Sequence, residues 1–291
     1  MPASRETISV IIPAYNRRAE IARAVASVRA QTLAPHEIIV IDDCSTDDTI
    51  AVAVAEGLGL RVLRHDANQG ASAARNTGLA AATGDWIAFL DSDDEWEPNK
   101  LAVQMAALLA TPDVPAGITG YVIHDYRTGE KREFRPTDAD AEIDTLVWGC
   151  PLGLGSTLLA RRAVFAEIGP LDPALPRLED WEWLMRYLPR YRLGVLGDAL
   201  TIVHKGGDPS RASVATSTAR IRLLHRAAWY RRSFAAGRKF DSTLLVEEAA
   251  SAYYTRDLKT AATLSLRALL AWPFRGIGFF AVLGRRLLKA F

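Results

Sequence analysis

Short β-branched and apolar runs recur through the first hundred residues, each stopped by a proline or by acids. Ile8-Ser9-Val10-Ile11-Ile12 meets Pro13, and Glu37-Ile38-Ile39-Val40-Ile41 meets Asp42-Asp43. Leu60-Arg61-Val62-Leu63 follows, and Trp86-Ile87-Ala88-Phe89-Leu90 runs into Asp91-Ser92-Asp93-Asp94. Each run predicts a buried strand. Between the first two, Ile21, Val25 and Val28 recur at i, i+4, i+7 and predict one apolar helical face, with Asn16 placed to cap it. Ser45-Thr46-Asp47-Asp48 offers hydroxyls and acids suited to a second helix start, and Ala71 to Ala82 predicts a third helix, closed by Gly84. Strand and helix alternating in this way predict a parallel, doubly wound α/β sheet.

The pattern changes after residue 112. Gly117 to Tyr126 and Glu130 to Phe134 flank Arg127-Thr128-Gly129 and predict a hairpin. Asp138 to Glu142 reads as a mobile acidic loop, Leu154 to Leu159 as a strand, and Ala163 to Ile168 as a helix ended by Gly169-Pro170. Leu178 to Tyr191 reads as helix and Leu193 to Val203 as extended chain. Residues 113–215 are thus expected to extend the sheet begun by residues 1–112, and 216–291 to form a helical extension. The end, Gly276 to Phe291, is apolar and basic, and seven basic residues stand against one acid between Arg256 and Phe291. Such a terminus suits either an anionic membrane surface or a tail helix that packs on the core and shows its charges to water.

Composition narrows the classes. The 291 residues carry 35 basic and 34 acidic side chains, a net charge of +1, which gives no reason to expect a nucleic-acid partner. Cys44 and Cys150 form neither a metal spacing nor a disulfide framework and fit a reducing cytoplasm. With a strand expected from Ile8, no signal peptide is expected, and no apolar run reaches the roughly 20 residues that span a bilayer.

Three acidic sites fall at predicted strand ends or a helix start: Asp42-Asp43, Asp91-Ser92-Asp93 and Glu179-Asp180. In open α/β sheets the carboxyl ends of strands face the ligand crevice. Carboxylates there can hold a hard cation, which in turn binds phosphate. The loop Pro13-Ala14-Tyr15-Asn16 adds an aromatic ring beside them. A calcium-loop reading of Asp91 to Asp94 fails for want of a glycine at the sixth position, and no glycine-rich phosphate loop is present.

These segments resemble the family 2 glycosyltransferases, inverting enzymes with the GT-A fold, a Rossmann-like mixed, mostly parallel sheet with flanking helices. The resemblance rests on Val10 to Asn16, Ile39 to Asp47, Asn68-Gln69-Gly70 with Ala74-Arg75-Asn76-Thr77-Gly78, and Phe89 to Asp94, and spans about residues 7 to 205. It implies a nucleotide-sugar donor, UDP-linked, with Tyr15 against the base, Asp43 accepting a base N–H and Asp42 orienting the loop. It implies that Asp93 ligates Mn²⁺ or Mg²⁺, that Asp91 contacts the ribose or the metal's water across Ser92, and that His204 is a further metal ligand. Asp94 is expected to be only a flanking acid. Arg75 is expected to meet the diphosphate or the loop carboxylates, and Lys205 or Arg211 to pair with phosphate. Asp180 is implied as the general base, with Glu179 its neighbour or an acceptor contact, and Trp181 or Trp183 could stack on a sugar. The expected function is bacterial surface-glycan synthesis, with a glycan or lipid-linked glycan acceptor and peripheral contact with the membrane's inner face. A nucleotidyltransferase and a catalytically silent glycan-binding protein are the alternatives. The first lacks its glycine-rich basic loop here, and the second leaves a full set of site residues unexplained.

Overall fold

The computed structural model describes residues 6–57, 59–126, 128–150, 152–205 and 214–273, with Lys205 described in its backbone only. The chain forms two compact units, residues 1–146 with 150–208, and residues 147–149 with 209–291.

The first unit is a mixed sheet flanked by helices. β1 (Ile8–Ala14), β2 (Glu37–Asp42), β3 (Leu60–Arg64) and β4 (Trp86–Phe89) run parallel in the order β3-β2-β1-β4. The sheet continues through β8 (Leu159–Arg161), β6 (Ala116–Asp125), β9 (Gly194–Lys205) and the two-residue β5 (Glu95–Trp96). β7 (Lys131–Phe134) pairs antiparallel with β6 as the expected hairpin, whose Arg127 lies outside the described residues. β1 is buried along its whole length, and α1 (Ile21–Arg29) buries Ile21, Ala24, Val25 and Val28.

Several local expectations are corrected, each for a physical reason. β1 does not stop at Pro13, which pairs in register with Ile41. Ile11 O accepts from Leu90 N on the β4 side, so the missing Pro13 N–H falls on that side, past the last β4 residue. Asn16 does not cap α1, whose N-cap is Glu20. It sits at φ 52°, and its amide oxygen accepts from Thr46 N at 2.9 Å. Asp138 to Ala141 is a 3-10 turn locked by a reciprocal Thr137–Asp140 capping box. Leu154 to Thr157 is a helical turn, α5, because Thr157 Oγ1 donates to Gly153 O (2.5 Å) and draws the backbone from a strand.

One helix is absent from the sequence reading altogether. α4 (Lys100–Leu109) buries Lys100, Leu101, Gln104, Met105 and Leu108, so its inner face includes two polar residues that break the apolar pattern. Gln104 Nε2 donates to Gly117 O and Thr157 O. Lys100 is fully buried with Nζ 4.0 Å from the Trp96 ring centroid, and burial pushes its pKa down to about 7.

The second unit is helical. α8 (Val214–Arg232), α9 (Phe234–Tyr254) and α10 (Leu258–Ala271) follow one another, with Ser233 and Asp257 as side-chain N-caps of the last two. Leu245 and Val246 pack with Ala268 in its core. Among the described residues no helix is long and apolar enough to cross a membrane. The basic segment Gly276 to Phe291 lies outside them.

In α3 (Ala71–Ala81), Gly78 lets the helix lie against β1: a Cβ there would stand 2.4 Å from Ile11 Cγ2. Gly78→Ala is therefore expected to destabilise the protein by about 1–3 kcal/mol through overpacking. Urea unfolding measures it, and an unchanged midpoint would contradict the close packing.

Candidate functional site

The loops after β1 and β2 are latched together. Ser45 Oγ accepts from Asn16 N, Thr49 Oγ1 from Arg17 N, and Asp47 from Arg18 N. Asp42, fully buried, accepts from Ser45 N and faces Arg64 Nη1 at 3.3 Å, so it orients the turn. Asp43, 3% exposed, accepts from His65 Nδ1 (2.7 Å) and Gln69 N (2.8 Å) on Oδ1 and from Gly70 N (2.7 Å) on Oδ2. Gly70 has φ 87°, a left-handed conformation that glycine adopts without strain. Tyr15 is 42% exposed at the rim.

Arg75 projects from α3 into the centre of the site. Its guanidinium, in a side chain only about one part in twenty exposed, donates Nη2–H to Asp91 Oδ1 (2.5 Å) and Nη1–H to Glu179 Oε1 (2.7 Å). The two carboxylates outweigh the desolvation and hold its pKa above the ordinary arginine value. Of the partners expected for Arg75, Asp91 is a loop carboxylate, whereas Glu179 comes from a helix start. The next residue, Asn76, clamps Leu171 through both of its backbone groups.

Asp91, Asp93 and Asp94 follow β4 in three different environments. Asp91 faces Arg75, and a Cβ on Gly155 would approach its Oδ2 to 2.7 Å, so only glycine fits beside it. Asp93 lies 3.5 Å from Arg17, and burial together with Asp91 raises its pKa. Ser92 is buried between them. Asp94 is more than the flanking acid expected. It is 4% exposed and accepts from Ser156 Oγ (2.6 Å) and His204 N (3.1 Å), joining the strand end to α5 and β9. Burial and Asp91 push its pKa well up.

Glu179 and Asp180 open α7 (Glu179–Tyr187), just after Leu178 at φ 63°, a left-handed conformation costing a leucine about 1–2 kcal/mol. Asp180 is partly buried and accepts from Trp181 N at 2.9 Å, and burial with Glu179 alongside raises its pKa to about 7. Tyr121 on β6 faces this charge, and burial with Cys150 and Asp180 pushes its phenol up to about 12.

Not every expected residue joins this centre. Trp181 and Trp183 are both core: their indole N–H groups donate to Leu146 O and Gly169 O, so neither presents a face to a sugar. His204 Nε2 pairs with Glu95 Oε1 at 2.8 Å and its ring stacks on Tyr126, while burial lowers its pKa. His204 Nδ1 is buried without a partner. Among the described residues no three His, Cys, Asp or Glu side chains converge as a ready-made metal cage. The Lys205 side chain and Arg211 lie outside the described residues. His65 escaped the sequence reading because a single histidine after a strand carries no motif.

Comparison with known proteins agrees on one family. Residues 9–169 match the family profile described as glycosyl transferase family 2. An uncharacterized glycosyltransferase of Haemophilus influenzae is 29% identical over 221 residues, 72% of each chain. The Escherichia coli UDP-Glc:alpha-D-GlcNAc-diphosphoundecaprenol beta-1,3-glucosyltransferase WfgD is 42% identical over 103 residues, 35% of this chain and 41% of that one. The fold resembles S. aureus TarS 1-349 in complex with UDP, at 20% identity and TM-score 0.59, covering 89% of this chain and 90% of that one. It also resembles the mannosyltransferase PcManGT from Pyrobaculum calidifontis in complex with GDP-Man and Mn²⁺, at 21% identity and TM-score 0.59, covering 94% and 83%.

Arg75→Met keeps an unbranched apolar stem in place of the central side chain and strips its charge, leaving Asp91 and Glu179 without their shared partner. A loss of about 1–3 kcal/mol in urea unfolding is expected. Arg75→Lys should recover only part of it, because one ammonium cannot reproduce the two-pronged geometry. Equal stability of all three proteins would remove Arg75 from this role.

Proposed function

The chain belongs to the family 2 glycosyltransferases, and on that footing we propose that it is a metal-dependent inverting enzyme, moving a sugar from a UDP-linked donor to a hydroxyl of a glycan or lipid-linked glycan. The observation that carries this reading is the Asp91–Arg75–Glu179 bridge, which ties the acidic strand end to the start of α7. Asp91 on the donor side and Glu179, the residue beside the base Asp180, are thereby held within one network.

In this reading residues 1–112 hold the nucleotide, 113–215 take the acceptor, and 216–291 form an extension. Pro13, Ala14, Tyr15 and Asn16 shape the base pocket, Tyr15 lying on the base. Asp43 Oδ2, with one donor already, keeps a lone pair for a base N–H. Asp91 and Asp93 suit Mn²⁺ or Mg²⁺ arriving with the donor, since such ions need one or two carboxylates plus substrate phosphates. The crowded acids also favour a cation, as the raised Asp93 pKa reflects. His204 would join them only by turning its unpartnered Nδ1 to the ion. Bound there, the ion supplies charge neutralisation for the departing diphosphate. PcManGT, in complex with GDP-Man and Mn²⁺, supports the metal, and TarS and WfgD, by name, support uridine.

Asp180 takes the acceptor proton as the acceptor oxygen bonds to the anomeric carbon on the face opposite the nucleotide. The carbon–oxygen bond to the diphosphate breaks, and the sugar's configuration inverts. A carboxyl with its pKa near 7 is matched to that task at neutral pH. Glu179, held by Arg75, fixes the helix start and is placed to touch the acceptor.

A lipid-linked acceptor accords with how charge is segregated along the chain. Residues 214–291 contain 14 basic and 4 acidic side chains, against 21 and 30 in residues 1–213. On α10, Leu266 and Leu270 are exposed beside Lys259 and Arg267. This composition fits the anionic inner face of a bacterial membrane.

The deciding assay is nucleotide release from a panel of nucleotide sugars with and without Mn²⁺ or Mg²⁺. UDP-sugar turnover that needs the metal and vanishes in Asp93→Ala is expected, and metal-independent turnover would overturn the scheme. Because Asp180 must be ionised to act, the rate should fall about tenfold per pH unit below 7 and level off above it. Asp180→Asn should lose that limb and about 10²–10⁴-fold in rate, whereas an unchanged rate would move the base elsewhere. Cosedimentation with vesicles checks the membrane contact. Binding to vesicles containing phosphatidylglycerol, but not to phosphatidylcholine alone, is expected, and equal binding would rule out the charge argument.

A further inference from the structure

His65 stands where β3 ends, its backbone N–H donating to Asp42 O at 2.9 Å, and is 9% exposed. Both ring nitrogens are engaged, Nδ1 with Asp43 Oδ1 at 2.7 Å and Nε2 with Thr77 Oγ1 at 2.8 Å. A carboxylate can only accept, so Nδ1 carries a proton. The other ring nitrogen, Nε2, shares a hydrogen bond with the Thr77 hydroxyl. Thr77 lies two residues beyond Arg75 on α3, so the chain Asp43–His65–Thr77 ties the end of β2 to the helix bearing the central guanidinium.

The three donors on Asp43 differ in kind. Gln69 N and Gly70 N belong to the backbone and come with the turn, whereas the His65 N–H is the one side-chain donor among them. It shares Oδ1 with Gln69 N and leaves Oδ2 with Gly70 N alone. The direction of the remaining Oδ2 lone pair therefore depends on how His65 holds Oδ1. With Asp43 only 3% exposed, water is poorly placed to replace that donor.

We propose that His65, anchored by Thr77, is a positioning residue for donor recognition: its Nδ1–H orients the Asp43 carboxylate so that Oδ2 accepts the N–H of the donor's nucleobase. This rests on the assignment of Asp43 to base recognition above and adds the residue that aims it. His65 touches neither the sugar nor the acceptor in this scheme, so its loss should weaken donor binding and leave the chemical step alone.

Two amide replacements separate the ring's two bonds. Asn places its N–H₂ near the position of Nδ1, within reach of Asp43, whereas Gln extends toward the position of Nε2 and Thr77. His65→Asn is expected to bind UDP within about threefold of the parent. His65→Gln and His65→Ala should raise the UDP Kd and the donor KM about 10- to 100-fold, with kcat within about twofold. Thr77→Val, which leaves the Asp43 bond in place and frees the ring's outer edge, should raise Kd about two- to tenfold. Calorimetric titration with UDP and GDP, with thermal unfolding of each variant alongside, reads these values. Binding of UDP by all four variants as tightly as by the parent overturns the proposal. So does a loss in His65→Asn equal to that in His65→Gln, which would make the ring a mere filler, and so does a fall in kcat at constant KM. Should the parent bind neither UDP nor GDP, the nucleotide-sugar reading itself fails, and this inference with it.

Discussion

A guanidinium removed from water and held between two carboxylates is the constraint on which the site's geometry depends. Arg75 cannot stay buried without partners, because an unpaired buried charge costs several kcal/mol. Its partners come from distant parts of the chain, Asp91 from the end of β4 and Glu179 from the start of α7. Whatever brings those three together must hold. The close approach of α3 to β1 at Gly78 sets where the guanidinium emerges, and Asn76 grips the chain at Leu171 that leads into α7. Gly155 leaves Asp91 room to face the arginine. The segment Ala74 to Gly78 thus works residue by residue: a buried alanine, a charge bridge, a backbone clamp, a hydroxyl for His65, and a gap for Ile11.

The acidic strand end shows how position alone separates chemically identical groups. Asp91 is neutralised by a guanidinium, Asp93 is half turned to solvent beside Arg17, and Asp94 is enclosed and accepts from a hydroxyl and a backbone amide. Asp91 is held in place, Asp93 stays partly exposed beside Arg17, and Asp94 joins strand end, turn and β9. The three acids of this tetrapeptide are therefore not equivalent groups.

The strands of the first half and the acids that follow β2 and β4 were legible in the sequence, because strands at the centre of a sheet covered on both faces are continuous apolar runs. Three of the four short segments that carry the family resemblance include such a run, and the fourth lies on α3 and the turn before it. What was not legible depended on partners remote in sequence. Asn16 reads as a helix cap, yet its amide is taken by Thr46 some thirty residues on. Asp94 reads as a surplus acid until Ser156 and His204 are brought to it. Leu154 to Leu159 reads as a strand, but the Thr157 hydroxyl is bound to the backbone one turn back and only Leu159 joins β8. α4 was hidden by Lys100 and Gln104 on its inner face. The tryptophans of α7 read as possible sugar platforms and are core, because Leu146 and Gly169 offer their carbonyls to the indoles.

Lys100 carries one more consequence. Its amine is sealed beneath α4 against the Trp96 ring, out of reach of acylating reagents as long as the helix stays docked. Burial alone brings its pKa down to about 7, so once uncovered the amine returns toward the ordinary lysine value. Modification at that single position therefore advances only through moments when α4 lifts away. The protein carries its own clock for local opening, and the clock stands beside the strand that leads from the acidic loop.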